Sequence, residues 1–150
     1  MNDSRGYKYQ LTYYLAWGCY HQMELLDEES RKLLDGFLHK VCKENEVIIR
    51  ERIITESYVC LILDCMPKHY IPDLLKLLKG PSAKYLLKNS ECIKLHGKEG
   101  IWDNLNVVGT SEEVLEEIKS TVEKKRERRN RRKKKGDCEY EETSNEEVDQ

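Results

Sequence analysis

Residues 47 to 64 constrain the fold more than any other stretch, because "VIIRERII" and "SYVCLILD" are two β-rich runs separated only by Thr55 and Glu56. So short a connection joins antiparallel neighbours, and a hairpin is expected here. Alternate side chains of a strand share a face, which puts Tyr58 and Cys60 side by side in the second run. That spacing suits two metal ligands or ordinary sheet packing, and the residue types alone leave both open.

Helical stripes flank the hairpin. Upstream, Asp27 is placed to cap a helix reaching about Asn45, with Leu33, Leu34, Phe37, Leu38, Val41 and Cys42 as its apolar face. Downstream, Pro72 suits a first helical position and is followed by Leu74, Leu75, Leu77 and Leu78. Gly80 and Pro81 predict a break there, then a short helix over "SAKYLLK" and a loop across residues 89 to 100. Two more strands bracket these elements: Tyr7 to Trp17, where apolar residues alternate with Lys8, Gln10 and Thr12, and "IWDNLNVVG". Thr110 and Glu113 are spaced as a capping box opening a last helix, whose core face is Val114, Leu115, Ile118 and Val122.

Strand, helix, strand, strand, helix, strand, helix predicts an α+β fold. The simplest version is ferredoxin-like, a four-stranded antiparallel sheet with helices on one face, followed by a C-terminal helix and a charged tail. One domain over residues 1–124 accounts for every apolar stripe, and residues 125–150 are expected to be a solvated helix extension or a disordered tail.

The net charge of -2 conceals strong segregation. Residues 1 to 118 carry 15 basic against 19 acidic side chains, residues 119 to 135 ("KSTVEKKRERRNRRKKK") carry 11 against 2, and residues 136 to 150 carry none against 7. The basic block can neutralise several phosphates in a sequence-independent, salt-sensitive way. A solvated face is the plainer reading, and the acidic run that follows could mask the block by folding onto it. No aromatic interrupts the arginine-rich stretch, so base stacking is not suggested within it, and RNA suits it as well as DNA. "MNDSRGYKYQ" has no apolar core segment, no window approaches a membrane span, and the six cysteines include no C-x-x-C pair. A cytoplasmic protein with reduced thiols and no membrane contact is the expectation.

Five strings, in order, resemble one family: "YYLAWGCYHQ", "ITESYVCLILDC", "HYIPDLLKLLKGPSAKYLL", "IWDNLNVVGT" and "SEEVLEEIKSTVEK". They are similar to the single-strand DNA transposases of insertion sequences, the histidine-hydrophobic-histidine tyrosine class, and to the related REP-associated tyrosine transposases. The resemblance spans about Tyr7 to Lys124. It implies a mobile-element protein that cuts and rejoins DNA, works as a homodimer through paired sheet edges, and binds single-stranded or hairpin DNA. It also implies a Mg or Mn ion held by two histidines on the third strand, and a tyrosine nucleophile on the last helix with a polar metal ligand one turn beyond.

Carried onto this chain, the histidine positions fall on Tyr58 and Cys60, the nucleophile on Ile118 and the additional ligand on Val122. None can do the family's chemistry. A phenol stays protonated at neutral pH, a thiol is a soft ligand, and the other two are aliphatic. No register shift helps, since no tyrosine lies between Tyr85 and Tyr140, and Tyr140 sits among Glu139, Glu141 and Glu142. The expectation is a transposase-like protein without strand transfer or bound metal, acting as a nucleic-acid-binding or regulatory protein. Two alternatives remain: an active transposase using Ser120 or Thr121, and a protein-interaction module with no nucleic-acid role. A changed metal site from Cys60, Cys65 and His69 is a further possibility. Candidate phosphate contacts are Lys76, Lys79 and Lys84 near the expected helix break, and Lys124, Lys125, Arg126, Arg128, Arg129, Arg131 and Arg132 in the basic block.

Overall fold

The computed structural model describes the backbone of residues 1–4 and 6–143 and the side chains of 1–3 and 6–132. The central hairpin forms as its sequence requires. Strands β4 (Ile48–Ile54) and β5 (Tyr58–Cys65) pair antiparallel, with Ile53 opposite Cys60. Thr55 closes the turn: its Oγ1 accepts from the Ser57 and Tyr58 N–H groups, and its own N–H donates to the Tyr58 carbonyl.

The stretch from Tyr7 to Trp17 is not one strand. Asn2–Ser4 (β1) and Tyr7–Tyr9 (β2) form a separate two-stranded ribbon, and the sheet strand β3 is Leu11–Cys19. The alternation that suggested one continuous strand persists across Gln10, but the hydrogen-bond partners change there. β3 pairs antiparallel with both β5 and β6 (Trp102–Gly109), giving the sheet order β4-β5-β3-β6. Two split β-α-β units generate that order, through α1 (Glu28–Glu44) and α2 (Ile71–Asn89). The architecture is ferredoxin-like, as expected.

Helices α1 and α2 cover one face of the sheet. Leu15, Trp17, Val59, Leu61 and Leu63 meet Leu34, Leu38, Leu78 and Leu86 there, each fully buried aliphatic side chain contributing roughly 1.5–3 kcal/mol. Asp27 caps α1 by accepting from the Ser30 N–H at 2.8 Å.

α2 does not break at Gly80–Pro81. Its buried positions Leu74, Leu75, Leu78, Ser82 and Leu86 keep helical spacing through that point, while Gly80 and Pro81 lie on the exposed side. Packing on the continuous stripe overrides the local propensity. Trp102 Nε1 and Ser82 Oγ both donate to the Lys79 carbonyl just before the proline. The expected loop after α2 contains a further helix, α3 (Glu91–His96), capped by Ser90 and seated on buried Ile93.

The last helix, α4 (Glu113–Thr143), lies across the opposite face of the sheet and passes without interruption through residues 124 and 125. Its first turn closes by backbone bonds onto Ser111 and Glu112; among the described residues, neither Thr110 nor Glu113 makes the side-chain bonds of a capping box. The acidic side chains of residues 136–150 lie outside the described ones.

Candidate functional site

The four carried-over catalytic positions meet beneath α4. Ala16, Tyr58 and Cys60 from the sheet and Val114, Ile118 and Val122 from the helix form one buried cluster, with Ile118 at 1% and Cys60 at 1% exposure. Small residues allow the close approach. Ala16 lies opposite Cys60 in the sheet, and a Cβ on Gly18 would stand 3.7 Å from Val122 Cγ2. At Gly109 a Cβ would come within 2.7 Å of Val114 Cγ2, so the start of α4 requires glycine on β6.

Chemically the cluster is a plug. Burial pushes the Cys60 thiol up to about 11, with Glu51 adding to the effect and Lys119 opposing it. Burial, followed by Cys60 and Glu123, raises the Tyr58 phenol. A phenol, one soft sulfur and aliphatic Val122 do not make a ligand set for a hard divalent cation. Nor does the alternative set assemble: Cys65 belongs to the opposite core, five residues and one sheet face away from Cys60. His69 accepts from the Met66 N–H at Nδ1 and uses Nε2 on the Asn45 carbonyl, each at 2.8 Å. Ser120 and Thr121 are half-buried on α4.

The basic candidates do not form one surface. Lys76 and Lys84 are exposed on α2, in the layer away from α4. Continuity of α2 removes the helix N-terminus expected beside them. Lys79 is turned inward, donating to the Asp103 carbonyl at 2.7 Å and to Asn106 Oδ1 at 2.8 Å, and its burial lowers its pKa against the pull of Asp103. It ties α2 to β6.

On α4 the block divides by helical face. Arg126 reaches Glu24 at 3.4 Å and Ser57 Oγ at 3.0 Å, anchoring the helix beside the β4–β5 turn. Arg131 pairs with Glu127 along the helix, and Lys124 is exposed. Lys125, Arg128, Arg129 and Arg132, spaced i, i+3, i+4 and i+7, share one face and line a cavity of about 320 Å³.

The other wall of that cavity is the turn after β3. His21 and Gln22 both adopt left-handed backbone, at φ 53° and 54°, which costs about 1–2 kcal/mol per residue. A polar network holds them. Buried Gln22 donates to Asp103 Oδ2 at 2.6 Å, Lys125 donates to the same oxygen at 2.7 Å, and Arg129 donates to the His21 carbonyl at 3.2 Å. Burial alone would push the Asp103 carboxyl up, but the bonds from Lys125, the Asn104 N–H and Gln22 outweigh it and hold the carboxyl below its ordinary value. Sequence reading missed Tyr20, His21, Gln22 and Asp103. The only signal was the four-residue spacing pattern inside the basic block.

Sheet order, opposed helical layers and a sealed strand–helix site define a ferredoxin-like domain of the transposase type. A family profile described as "Transposase IS200 like" matches residues 7–125. The chain belongs to that family, as its resemblance implied. The ISDra2 transposase TnpA of Deinococcus radiodurans is 33% identical over 84 residues, a match spanning 56% of this chain and 60% of that protein. A crystal structure from Deinococcus radiodurans, of a protein provisionally described as a transposase, superposes with a TM-score of 0.76 at 30% identity, covering 83% of this chain and 98% of that one. A REP-associated tyrosine transposase, solved bound to a REP hairpin, shares the fold at a TM-score of 0.50 and 12% identity over 74% of this chain and 62% of that one. Among the described residues no helix is long and apolar enough to cross a membrane.

Proposed function

We propose that this chain is a nucleic-acid-binding or regulatory protein on an IS200-like transposase scaffold, without metal-dependent strand cleavage and rejoining. The observation that carries this reading is the plug: Tyr58, Cys60, Ile118 and Val122 pack together where the family's chemistry would sit. Their convergence supports the residue-by-residue correspondence, and their chemistry supplies neither a hard-cation ligand set nor a nucleophile. The cationic face of α4 supports binding to phosphates. The hairpin bound by the REP-associated relative supports single-stranded or hairpin DNA as the partner. A homodimer through a sheet edge is part of the same proposal, with β6 as an edge strand bearing exposed Leu105 and Val108.

The test is incubation of the full chain with hairpin-bearing single-stranded DNA, with and without Mn. Retention that falls steeply as salt rises, with no DNA joined to protein after denaturation, is the expected result. A denaturant-resistant protein–DNA band would refute the loss of strand transfer. Absence of any salt-sensitive binding would favour a protein-interaction module instead.

A further inference from the structure

The cavity between α4 and the turn at residues 20–22 has features that electrostatic tethering alone does not need. At about 320 Å³ it is at the small end of ligand pockets, about 300–1,000 Å³. Four cations line it against one carboxylate, Asp103, whose oxygens are already occupied by Lys125 and Gln22 on one side and the Asn104 N–H on the other. Lys125 and Arg129 are committed to that scaffold. Arg128 and Arg132 are exposed and make no ion pair among the described residues, so their guanidinium groups face the cavity with open donors.

The facing wall supplies a ring. His21 is exposed and lies edge-on to Tyr20, with ring centroids 4.0 Å apart and planes at 68°. Tyr20 is backed by Gly100, where a Cβ would stand 3.5 Å from the ring. The left-handed backbone at His21 and Gln22 places residue 21 on the wall opposite the arginines, and strained backbone held by a polar network is characteristic of ligand sites.

We infer that this cavity binds one nucleotide of a single-stranded nucleic acid. Arg128 and Arg132 take the backbone phosphate, which planar guanidinium groups grip through paired N–H bonds, and the His21 ring, propped by Tyr20, takes the adjacent base by stacking. A duplex is excluded because its bases are already stacked on both faces. The inference rests on the nucleic-acid-binding reading and adds to it a place and the side chains that make the contacts.

Fluorescence anisotropy of a labelled oligothymidylate with the full-length protein tests it. Arg128→Gln with Arg132→Gln should weaken binding by about tenfold or more, while Lys124→Gln with Arg131→Gln, the same charge removed from outside the cavity, should cost clearly less. His21→Asn keeps a residue that tolerates left-handed backbone and removes the ring; it should weaken binding at least about fivefold. Blunt duplex should compete poorly, as should inorganic phosphate at matched phosphate concentration. Equal losses from the two double variants, wild-type affinity in His21→Asn, or full displacement by duplex or by free phosphate would each overturn the inference while leaving nucleic-acid binding intact. No oligothymidylate or hairpin binding by the wild-type protein would remove both.

Discussion

Ser30 and Ser90 show how single residues hold the helical layer together. Their hydroxyls share a buried hydrogen bond of 2.6 Å across sixty residues of sequence, and Ser90 Oγ also accepts from the Ile93 N–H to cap α3. Ser90→Ala removes the cap and leaves Ser30 unpartnered in the core, so urea unfolding should show a loss of about 1–3 kcal/mol. A change below a few tenths would mean the pair carries no load. The thiols offer a second residue-scale test. Cys19, Cys42, Cys60 and Cys65 are buried with raised pKa values, whereas Cys92 is only partly covered. Alkylation of the native protein near neutral pH, followed by peptide mapping, should leave those four unlabelled until denaturant is added. Rapid labelling of Cys60 would mean the plug beneath α4 opens.

At the scale of elements, α2 shows both the reach and the limit of reading a sequence. Gly80 and Pro81 are strong breakers in isolation, yet the spacing of Leu78, Ser82 and Leu86 carries the helix across them. That spacing was visible, but Ser82 does not register as apolar, and its burial depends on Trp102 Nε1 donating to its hydroxyl. Tertiary packing also explains α3, seated on buried Ile93, while β1 and β2 pair only with each other. The hairpin and α1 were legible because turn, cap and periodicity agree there. Gly80 has no neighbour within 4 Å of an added Cβ and no positive φ. Gly80→Ala should therefore raise stability by about 0.5–1 kcal/mol in thermal unfolding. A neutral result would indicate a chain broken at that point after all.

For the whole molecule, the placement of α4 brings together residues that the sequence signals unequally. Tyr58, Cys60, Ile118 and Val122 were singled out by the family resemblance, which carried one strand and one helix onto them, and they pack together beneath α4. His21 and Asp103 join α4 only through the third dimension, 108 residues separating His21 from Arg129. The two faces of the sheet also have a common consequence for pH. Burial raises Cys19 and Cys42 from 9.0 to about 12, and Cys60 and Cys65 to about 11. Below pH 9 these thiols are protonated in the folded and unfolded chain alike, and their full contribution is present. Above pH 9 the unfolded chain releases protons that the folded chain keeps, so stability falls as pH rises through the folded values. Each such thiol gives a slope of about 1.4 kcal/mol per pH unit, and four thiols on both faces act in the same direction. Lys79, whose pKa burial lowers, opposes them with a single group. Urea midpoints measured under reducing conditions should be level just below pH 9 and decline steeply above it. A flat profile through pH 10 would show that both cores admit water, and a decline that Cys60→Ala leaves unchanged would show that the face α4 seals does.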